Sequence, residues 1–310
     1  MNEKVLILES EDYSRRAIEK YRALGTLETY SPASDVSLIS ALVVRLGFHL
    51  DSAFLAGFPS LKYIVSPTTG LNHIDVHYCR RADIEVLSLQ GELEFLDSIS
   101  STAEMTFALI LSLVRRVKPA ASSVARGKWN RDLFKGRQLQ SMTLGIIGFG
   151  RVGRQLASYA NAFGMGVLIT DRIDDEPIED GVSLETVLRQ SDIVCLTANF
   201  TEANREMIGE EEFSQMKDGS FFVNTARGEL VNEVALLDNI KKSKFAGVGL
   251  DVLSNEHSLT QNRILQYYRQ VGLMENLIIT PHISGCTADA MEETENFMAD
   301  KLVNFLQSAK

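Results

Sequence analysis

A cation, a carboxylate and an imidazole follow strand-like segments in the second half of the chain. Arg227 comes soon after the apolar run 220–224. His282 follows the run 277–280, and Glu256 lies between the two segments. Because the carboxyl ends of parallel strands face one crevice, we expect the three side chains to meet. An arginine can bind a carboxylate, and an imidazole beside a carboxylate can donate a proton near neutral pH. The set therefore suits reduction of a 2-oxo acid by a nicotinamide.

A glycine-rich turn predicts where a dinucleotide binds. The apolar run 143–147 leads into the pattern G-x-G-x-x-G, formed by Gly148, Gly150 and Gly153. These glycines permit a tight turn, a close approach of the backbone to a diphosphate, and close packing of helix on strand. The diphosphate would sit at the helix N-terminus, on the free amides of residues 149–152.

The residues after the next strand bear on the choice between NAD and NADP. Asp171 follows Gly153 by 18 residues and can accept hydrogen bonds from a ribose. Its charge would repel a 2'-phosphate, which favours NAD. Arg172 beside it could accommodate that phosphate, so an NADP-preferring reductase stays an alternative.

Composition excludes several other classes of function. The chain has 310 residues and a formal net charge of -10, and clustered basic residues for nucleic acid are lacking. Three widely spaced cysteines, Cys79, Cys195 and Cys286, predict no disulfide framework and favour a reducing cytoplasm. The most apolar segment, 107–114, is far shorter than the about 20 residues that span a bilayer, so no membrane contact is expected.

Alternating patterns predict an α/β fold with two Rossmann-like domains, a flavodoxin-like substrate domain and a dinucleotide-binding domain, each with a parallel sheet. One long helix over 101–117, with a capping box of Ser101 and Glu104, separates two series of elements. We assign residues 1–100 and 286–310 to a discontinuous substrate-binding domain and 101–285 to an NAD-binding domain, with the site in the cleft and hinges near 98–104 and 285. The predicted strands cover 4–8, 41–44, 61–65, 84–87, 165–170, 192–196, 220–224, 247–250 and 277–280. Further helices are predicted over 183–190, 210–216, 233–241 and 288–307.

One group of residues has spacing that could suit a metal. His73, His77 and Cys79 are close in sequence, but Asp75 and the apolar neighbours favour a turn that enters a helix. We therefore predict no metal site.

Several motifs together resemble the D-isomer-specific 2-hydroxyacid dehydrogenase family, which includes D-3-phosphoglycerate, glyoxylate/hydroxypyruvate and D-lactate dehydrogenases. The resemblance extends over nearly the whole chain. Its motifs are LKYIVSPTTGLNHID at 61–75, Ala103 with Glu104, Trp129, TLGIIGFGRVGR at 143–154, NTARGELV at 224–231, GLDV at 249–252 and TPHISG at 280–285.

The resemblance implies a role for each motif. Arg227 would bind substrate, His282 would be the acid/base, and Glu256 would be its partner. Substrate would also be bound by backbone amides of two loops, at Leu46 and Gly47 and at Thr69 and Gly70. The implied contacts to NAD are Gly148, Phe149, Gly150, Arg151, Val152, Gly153, Asp171, Thr197, Thr225, Ala226, Asp251 and Ser284. A homodimer formed through the cofactor domain is also implied.

Some residues depart from the family pattern. Residues 199–201 read NFT, whereas the family usually has P-L-T at this place after the fourth strand of the cofactor domain. His257 follows Glu256 at a position where the family usually has a proline. The loop 90–97 is acidic, which would disfavour a highly anionic substrate tail. Arg45, His49 and Lys62 are further candidates to contact that tail.

Two other functions remain open for this sequence pattern. Relatives of the family include NAD(H)-sensing corepressors that keep the three catalytic residues, so a sensing scaffold is an alternative. A formate-type dehydrogenase is disfavoured because that branch has glutamine at the position of Glu256.

Overall fold

The computed structural model describes residues 3–173, 176–271 and 276–308. The chain divides into two compact units. The first unit consists of Met1–Ile99 and Thr287–Lys310, and the second of Ser100–Cys286. No helix in the described ranges has both the length and the apolar character needed to cross a bilayer.

The first unit contains a five-stranded parallel sheet in the order β2-β1-β3-β4-β5. The order reverses between β1 and β3, and such a reversal opens a crevice at the carboxyl ends of the two strands. The strands are β1 Glu3–Ile7, β2 Gly25–Thr29, β3 Ala41–Val43, β4 Tyr63–Val65 and β5 Glu85–Leu87.

Helices cover both faces of this sheet. Ser14, Asp51 and Asp75 each cap a helix by accepting a backbone amide, which fixes where α1, α2 and α3 begin. The helices are α1 Arg15–Leu24, α2 Ser52–Leu55, α3 Val76–Arg81, α4 Leu93–Asp97 and a C-terminal helix Ala288–Ser308. Apolar residues of α1 and the C-terminal helix pack on β1 and β3, so the last segment of the chain completes the first unit's core.

The second unit contains a six-stranded parallel sheet in the order β13-β12-β11-β10-β6-β7. Its order reverses between β6 and β10. The strands are β6 Thr143–Ile147, β7 Gly166–Thr170, β10 Ile193–Leu196, β11 Phe221–Asn224, β12 Gly247–Leu250 and β13 Leu277–Ile279, with a separate antiparallel pair, β8 Arg172–Ile173 and β9 Glu176–Pro177. The helices are α5 Ser101–Val114, α6 Val117–Ala125, α7 Arg151–Ala162, α8 Leu184–Gln190, α9 Glu210–Gln215, α10 Glu233–Lys241 and α11 Arg263–Val271. Buried apolar clusters lie on both faces, as a fully covered parallel sheet requires.

The predicted α/β class with parallel sheets is confirmed, but two local predictions were wrong. The helix predicted over 101–117 ends at Val114, because Arg116 adopts the left-handed φ of 53° before α6 begins. The predicted capping box of Ser101 is also wrong: the N-cap is Ser100, whose hydroxyl donates to Glu104 Oε1 at 2.5 Å. Strand β2 was not predicted, since an edge strand with one buried face carries a weak apolar signal.

Candidate active site

His282 and Glu256 form a hydrogen-bonded pair in the second unit. His282 Nδ1 lies 2.6 Å from Glu256 Oε2, and the two side chains are 24% and 31% exposed. An ionised carboxylate only accepts hydrogen bonds, so it places the imidazole proton on Nδ1. Nε2 is then the ring atom that can exchange a proton with a bound molecule.

The backbone at His282 is set by Asp251, which follows β12. His282 has the left-handed φ of 54°, and its amide donates to the carbonyl of Asp251 at 2.8 Å. The Asp251 carboxylate is 1% exposed and accepts from Thr280 Oγ1 at 2.5 Å. It also accepts from the amides of Ile283 and Ser284 at 2.9 and 2.8 Å, and from the Ser284 hydroxyl. Asp251 therefore holds the loop that carries the imidazole.

Two carboxylates hold the turn that carries Glu256. Glu256 Oε1 accepts from the amide of Leu253 at 3.1 Å, while Glu233 accepts from the amide of Ser254 at 2.7 Å and from Asn262 Nδ2 at 2.6 Å. Asn255 supplies the left-handed φ of 55° that the turn needs, a conformation that asparagine tolerates. These contacts constrain the backbone where a proline is usual in the family. The side chain of His257 lies outside the described part of the chain.

Sequence analysis did not identify Glu233, although its position at the start of α10 was predicted. Burial raises the pKa of its carboxyl, the hydrogen bonds from Ser254 and Asn262 lower it, and the charges of Glu229 and Glu256 raise it further. The signal available in the sequence was an acid in the first turn of a helix, which is common and points to no particular site.

Arg227 is brought toward this turn by a close approach of two backbones. A Cβ added to Gly228 would lie 2.0 Å from the carbonyl carbon of Leu253, so only glycine allows the contact. Asn224 fixes the loop by accepting from the amide of Ala226 at 3.0 Å and donating to the carbonyl of Arg227 at 2.9 Å. Burial lowers the pKa of the Arg227 guanidinium, while the charges of Glu256 and Glu229 raise it. The three residues predicted to meet are therefore all in one region of the second unit.

The glycine-rich turn has the shape that a dinucleotide requires. Gly148 has a φ of 100°, and a Cβ there would lie 2.4 Å from the amide of Ala198. A Cβ on Gly153 would lie 2.3 Å from the carbonyl of Gly148. At Gly150 a Cβ would meet nothing within 4 Å, and no side chain caps α7 there. The space beside Gly150 is thus open to a bound group, and the residues present fit a diphosphate at this helix terminus.

Asp171 lies at this turn but makes a contact that the sequence did not predict. Its Oδ2 accepts from the amide of Phe149 at 2.6 Å, so that amide is not free for a diphosphate as we expected. The contact holds Asp171 beside the turn, where a ribose would be recognised. Thr197 donates through its hydroxyl to the carbonyl of Gly148 at 2.6 Å. The side chain of Arg172 lies outside the described part of the chain.

The other predicted cofactor residues differ in their surroundings. Arg151 and Val152 open α7 and are half-buried, and Ala226 is half-buried after β11. Thr225 is buried and shares a hydrogen bond of 2.7 Å with the hydroxyl of Thr106 on α5. The polar groups of Asp251 and Ser284 bind each other, as described above. A role for these six residues in cofactor binding stays a prediction.

The predicted substrate loops lie at the carboxyl ends of β3 and β4 in the first unit. Gly47, whose neighbour Leu46 is exposed, donates its amide to Glu9 Oε1 at 2.8 Å. The loop of Thr69 and Gly70 is supported by Thr68, which donates to the carbonyl of Gly70 at 2.9 Å. Within the described ranges, the amides of Thr69 and Gly70 donate to no protein acceptor.

The residues with metal-like spacing form no cluster of ligands. His73 is buried, with Nε2 3.3 Å from Ser66 Oγ, and Cys79 is buried on α3, whereas His77 is exposed. No group of three or more metal-ligating side chains is present among the described residues.

Comparison with known proteins decides the family. Residues 107–284 match the family model described as D-isomer specific 2-hydroxyacid dehydrogenase, NAD binding domain, which covers more than half of the chain. The chain belongs to the D-isomer-specific 2-hydroxyacid dehydrogenase family. It is accordingly an oxidoreductase with an NAD-binding domain of the Rossmann type.

Relatives of this dehydrogenase include enzymes that act on small 2-oxo acids. The chain is 34% identical over 267 residues to the hydroxypyruvate reductase of Thermotoga maritima, covering 85% of this chain and 84% of the relative. It is 32% identical over 279 residues to the glyoxylate reductase of Thermococcus litoralis, covering 86% and 80%. A D-lactate dehydrogenase from Aquifex aeolicus, solved with NAD and lactic acid, matches with a TM-score of 0.81 and 31% identity, over 98% of this chain and 96% of that one.

The loop that departs from the family pattern has its own internal support in this dehydrogenase. Asn204 donates to the carbonyl of Asn199 at 2.8 Å and accepts from the amide of Thr201 at 2.8 Å. The guanidinium of Arg205 lies 5.0 Å from the centre of the Phe200 ring. The loop is therefore held by polar and cation–π contacts where the family's usual proline would stiffen the backbone.

Proposed function

We propose that the protein interconverts a D-2-hydroxy acid and its 2-oxo acid with NAD(H), using His282 as the acid/base, Glu256 as its partner and Arg227 as the substrate-binding cation. The observation that carries this proposal is the 2.6 Å contact between His282 Nδ1 and Glu256 Oε2 in a chain of this family. A core histidine or a surface acid would need no such pair.

The proton and the substrate charge are handled by the chain's own residues. In the direction of reduction, the doubly protonated His282 gives its Nε2 proton to the oxygen of the substrate carbonyl, while the other proton stays on Nδ1 and is donated to Glu256 Oε2. Glu256 stabilises the positive charge that the imidazolium carries before the transfer, and the imidazole that remains after it is neutral. Arg227 binds the substrate carboxylate and polarises the carbonyl group, since its planar guanidinium offers two parallel donors. In the first unit, the amides of Thr69 and Gly70 bind the substrate, whereas the amide of Gly47 is already occupied by Glu9 and Leu46 contacts the substrate through its exposed side chain.

NAD(H), when bound, supplies or accepts the hydride. The open space at Gly150 and the first amides of α7 would take its diphosphate, and Asp171 would bind the adenosine ribose. Phe149, Arg151, Val152 and Thr197 line the same turn. A carboxylate at Asp171 favours NAD over NADP because it repels a 2'-phosphate.

A substrate panel tests this function. Purified protein is assayed for NADH and NADPH oxidation with glyoxylate, hydroxypyruvate, pyruvate and branched 2-oxo acids. We expect turnover on at least one of them, with NADH preferred. Tight NADH binding with no turnover on any substrate would instead support the sensing scaffold, and a preference for NADPH would overturn the role of Asp171.

The His282→Asn variant tests the acid/base role of His282 without changing the backbone conformation of its loop. Asparagine tolerates the left-handed backbone that His282 adopts, so the loop should keep its geometry while the acid/base is lost. We expect kcat to fall by about 10²- to 10⁴-fold with little change in NADH affinity. His77→Asn, at an exposed histidine on α3, is the matched control and should keep the wild-type rate. A His282→Asn enzyme with near-normal kcat would rule out the acid/base assignment.

We also propose a homodimer formed through the second unit and a cytoplasmic location. Val117, Val124, Trp129 and Leu133 are exposed apolar residues at and after α6, and Trp129 is 89% exposed. Such surface on a folded chain is typical of protein interfaces. All three cysteines, each in the described part of the chain, are unbridged, which suits a reducing compartment. Sedimentation of wild-type protein and of Trp129→Glu tests the dimer, which the charged variant should weaken.

A further inference from the structure

The reversal of strand order in the first unit brings together two segments beside the predicted substrate loops. Glu9 follows β1, and Arg45 to Gly47 follow β3, the two strands between which the order reverses. Crevices at such reversals are where open parallel sheets bind ligands. The loop of Thr69 and Gly70 follows β4, the next strand, which is about 5 Å from β3. The part of a substrate that extends beyond its reacting atoms should therefore meet the residues at β1 and β3.

A carboxylate of the chain itself already occupies the amides of this loop. Glu9 accepts from the amide of Arg45 at 2.7 Å and from the amide of Gly47 at 2.8 Å. A Cβ added to Gly47 would lie 2.6 Å from Glu9 Oε1, so the loop closes tightly around this carboxylate. Two donors that could bind a second anionic group of a substrate are thus satisfied, and a negative charge stands in their place.

The positively charged side chain of this loop, Arg45, points toward other residues of the first unit and not toward solvent. Arg45 Nε donates to Glu295 Oε1 at 2.8 Å, and Arg45 Nη2 lies 2.5 Å from the same oxygen. Arg45 Nη1 donates to the carbonyl of Glu11 at 3.1 Å, and the guanidinium lies 4.8 Å from the centre of the Tyr13 ring. Nε and Nη1 are therefore hydrogen-bonded within the chain, and Nη2 makes an ion-pair contact with Glu295.

Glu295 is fixed in place to receive Arg45. It lies on the C-terminal helix, its side chain is 2% exposed, and its Oε2 accepts from the amide of Ser14 at 2.6 Å. Because Arg45 is only 17% exposed and Glu295 2% exposed, removing Glu295 would leave a poorly solvated charge without its partner, so the pair is costly to break. The arrangement keeps Arg45 from turning outward to a bound anion.

The larger side chains that this loop leaves exposed are those of Leu46 and His49, and Glu9 supplies a carboxylate at the reversal. Leu46, between the two amides held by Glu9, is exposed, and Lys62 precedes β4 and therefore lies at the opposite edge of the sheet. Building on the proposed function, we propose that the first unit selects 2-oxo acids whose tail carries no second negative charge, with Glu9 and Glu295 as the residues that set this specificity. Uncharged aliphatic tails fit this surface, whereas phosphorylated and dicarboxylic substrates do not.

Two substrates of similar shape test this selection. 2-Oxoisocaproate and oxaloacetate have tails of similar branching, but only oxaloacetate carries a second carboxylate. We expect the wild-type enzyme to have a kcat/KM at least about 100-fold higher for 2-oxoisocaproate, because placing like charges against each other is strongly unfavourable. A wild-type enzyme that prefers oxaloacetate overturns the proposal.

Variants then show whether the named residues cause the preference. Glu9→Gln keeps an acceptor for one of the two loop amides, places an NH2 group at the other and removes the charge. The ratio of the two kcat/KM values should therefore fall by about tenfold, through a lower KM for oxaloacetate. Glu295→Gln removes the charged partner of Arg45 and should change the ratio in the same direction. Glu11→Gln is the matched control, because its exposed carboxylate is absent from the amide contacts, and it should leave the ratio unchanged.

Glyoxylate, which has no tail, distinguishes a failure of the proposed function from a failure of the proposed tail selection. If wild-type protein reduces neither glyoxylate nor any other 2-oxo acid, the proposed function itself fails. If it reduces glyoxylate but Glu9→Gln and Glu11→Gln give the same ratio as wild type, only the tail selection is wrong. Circular dichroism of each variant confirms that a changed ratio comes from a folded enzyme.

Discussion

Replacing Gly228 with alanine should damage catalysis and stability together. The new Cβ would lie 2.0 Å from the Leu253 carbonyl carbon, 2.1 Å from the Ser254 amide nitrogen and 2.4 Å from the Leu253 carbonyl oxygen. Nonbonded contacts to a Cβ are seldom closer than 3.0 Å. The turn that carries Glu256 must then move by about 1 Å or more away from Arg227, because backbone atoms on both sides of the contact cannot rotate aside.

The size of the effect follows from that displacement. Misplacing a catalytic group by about 1 Å costs on the order of 100-fold in rate, and forcing extra atoms into a packed contact costs about 1–3 kcal/mol of unfolding free energy. We therefore expect kcat of Gly228→Ala to fall about 100-fold while its unfolding free energy falls by about 2 kcal/mol.

Steady-state kinetics and urea unfolding measure the two effects side by side. Gly209→Ala is the control, because a Cβ there lies no closer than 3.5 Å to another atom, and it should keep the wild-type kcat. If Gly228→Ala keeps its rate within about threefold and its unfolding free energy within about 0.5 kcal/mol, the close approach does not position the catalytic turn.

Three further predictions concern other parts of the second unit. Gly150→Ala should leave the unfolding free energy unchanged, since its Cβ meets only open space, but should weaken NAD binding about tenfold or more in calorimetry. A Gly150→Ala protein with wild-type NAD affinity would contradict the placement of the diphosphate. In Asp251→Asn, one of the two carboxylate oxygens that accept from the amides of Ile283 and Ser284 becomes an NH2 group, which donates. The unfolding free energy should fall by about 2–4 kcal/mol, and kcat should fall because the loop that carries His282 is held less firmly. An unchanged urea midpoint would refute this supporting role. Burial raises the pKa of Glu233, so its ionised form is less favourable in the folded protein than in the unfolded chain. The stability that the protonated carboxyl contributes is complete below an unfolded pKa of about 4.3 and is lost as the pH rises through the pKa of the folded protein. The unfolding free energy of wild type relative to Glu233→Gln should therefore decrease as the pH rises above about 4 in urea titrations, and a rising difference would show the opposite sign of shift.

Local pattern was enough to predict most of the second unit. The helix over 233–241 and the strand over 247–250 match α10 and β12 residue for residue. The signal is strong there because buried parallel strands are continuous apolar runs and helices repeat with their own period. Prediction was weaker for short elements and for helices that follow a break: the elements that were not predicted include β2, α4, α6 and α11.

The break between α5 and α6 shows a different limit. The apolar period continues through Val117, and neither glycine nor proline marks the end of α5 at Val114. Arg116 nevertheless takes a left-handed φ, which is uncommon for arginine, so the sequence offers no local sign of it. A backbone turn that is stabilised by packing elsewhere cannot be read from residue propensity.

The sequence by itself determined the types and order of the functional groups: a glycine pattern after a strand, an acid after the next strand, and Arg227, Glu256 and His282 after later ones. Those features are visible because each depends on a residue and its near neighbours. Only the tertiary structure decided how they are held and what surrounds them. Asp251 binds the loop that carries His282, and Arg45 pairs with Glu295 across 250 residues of sequence. Such contacts join segments that are distant along the chain, and their energies depend on burial and on the distance between partners, which no local pattern specifies.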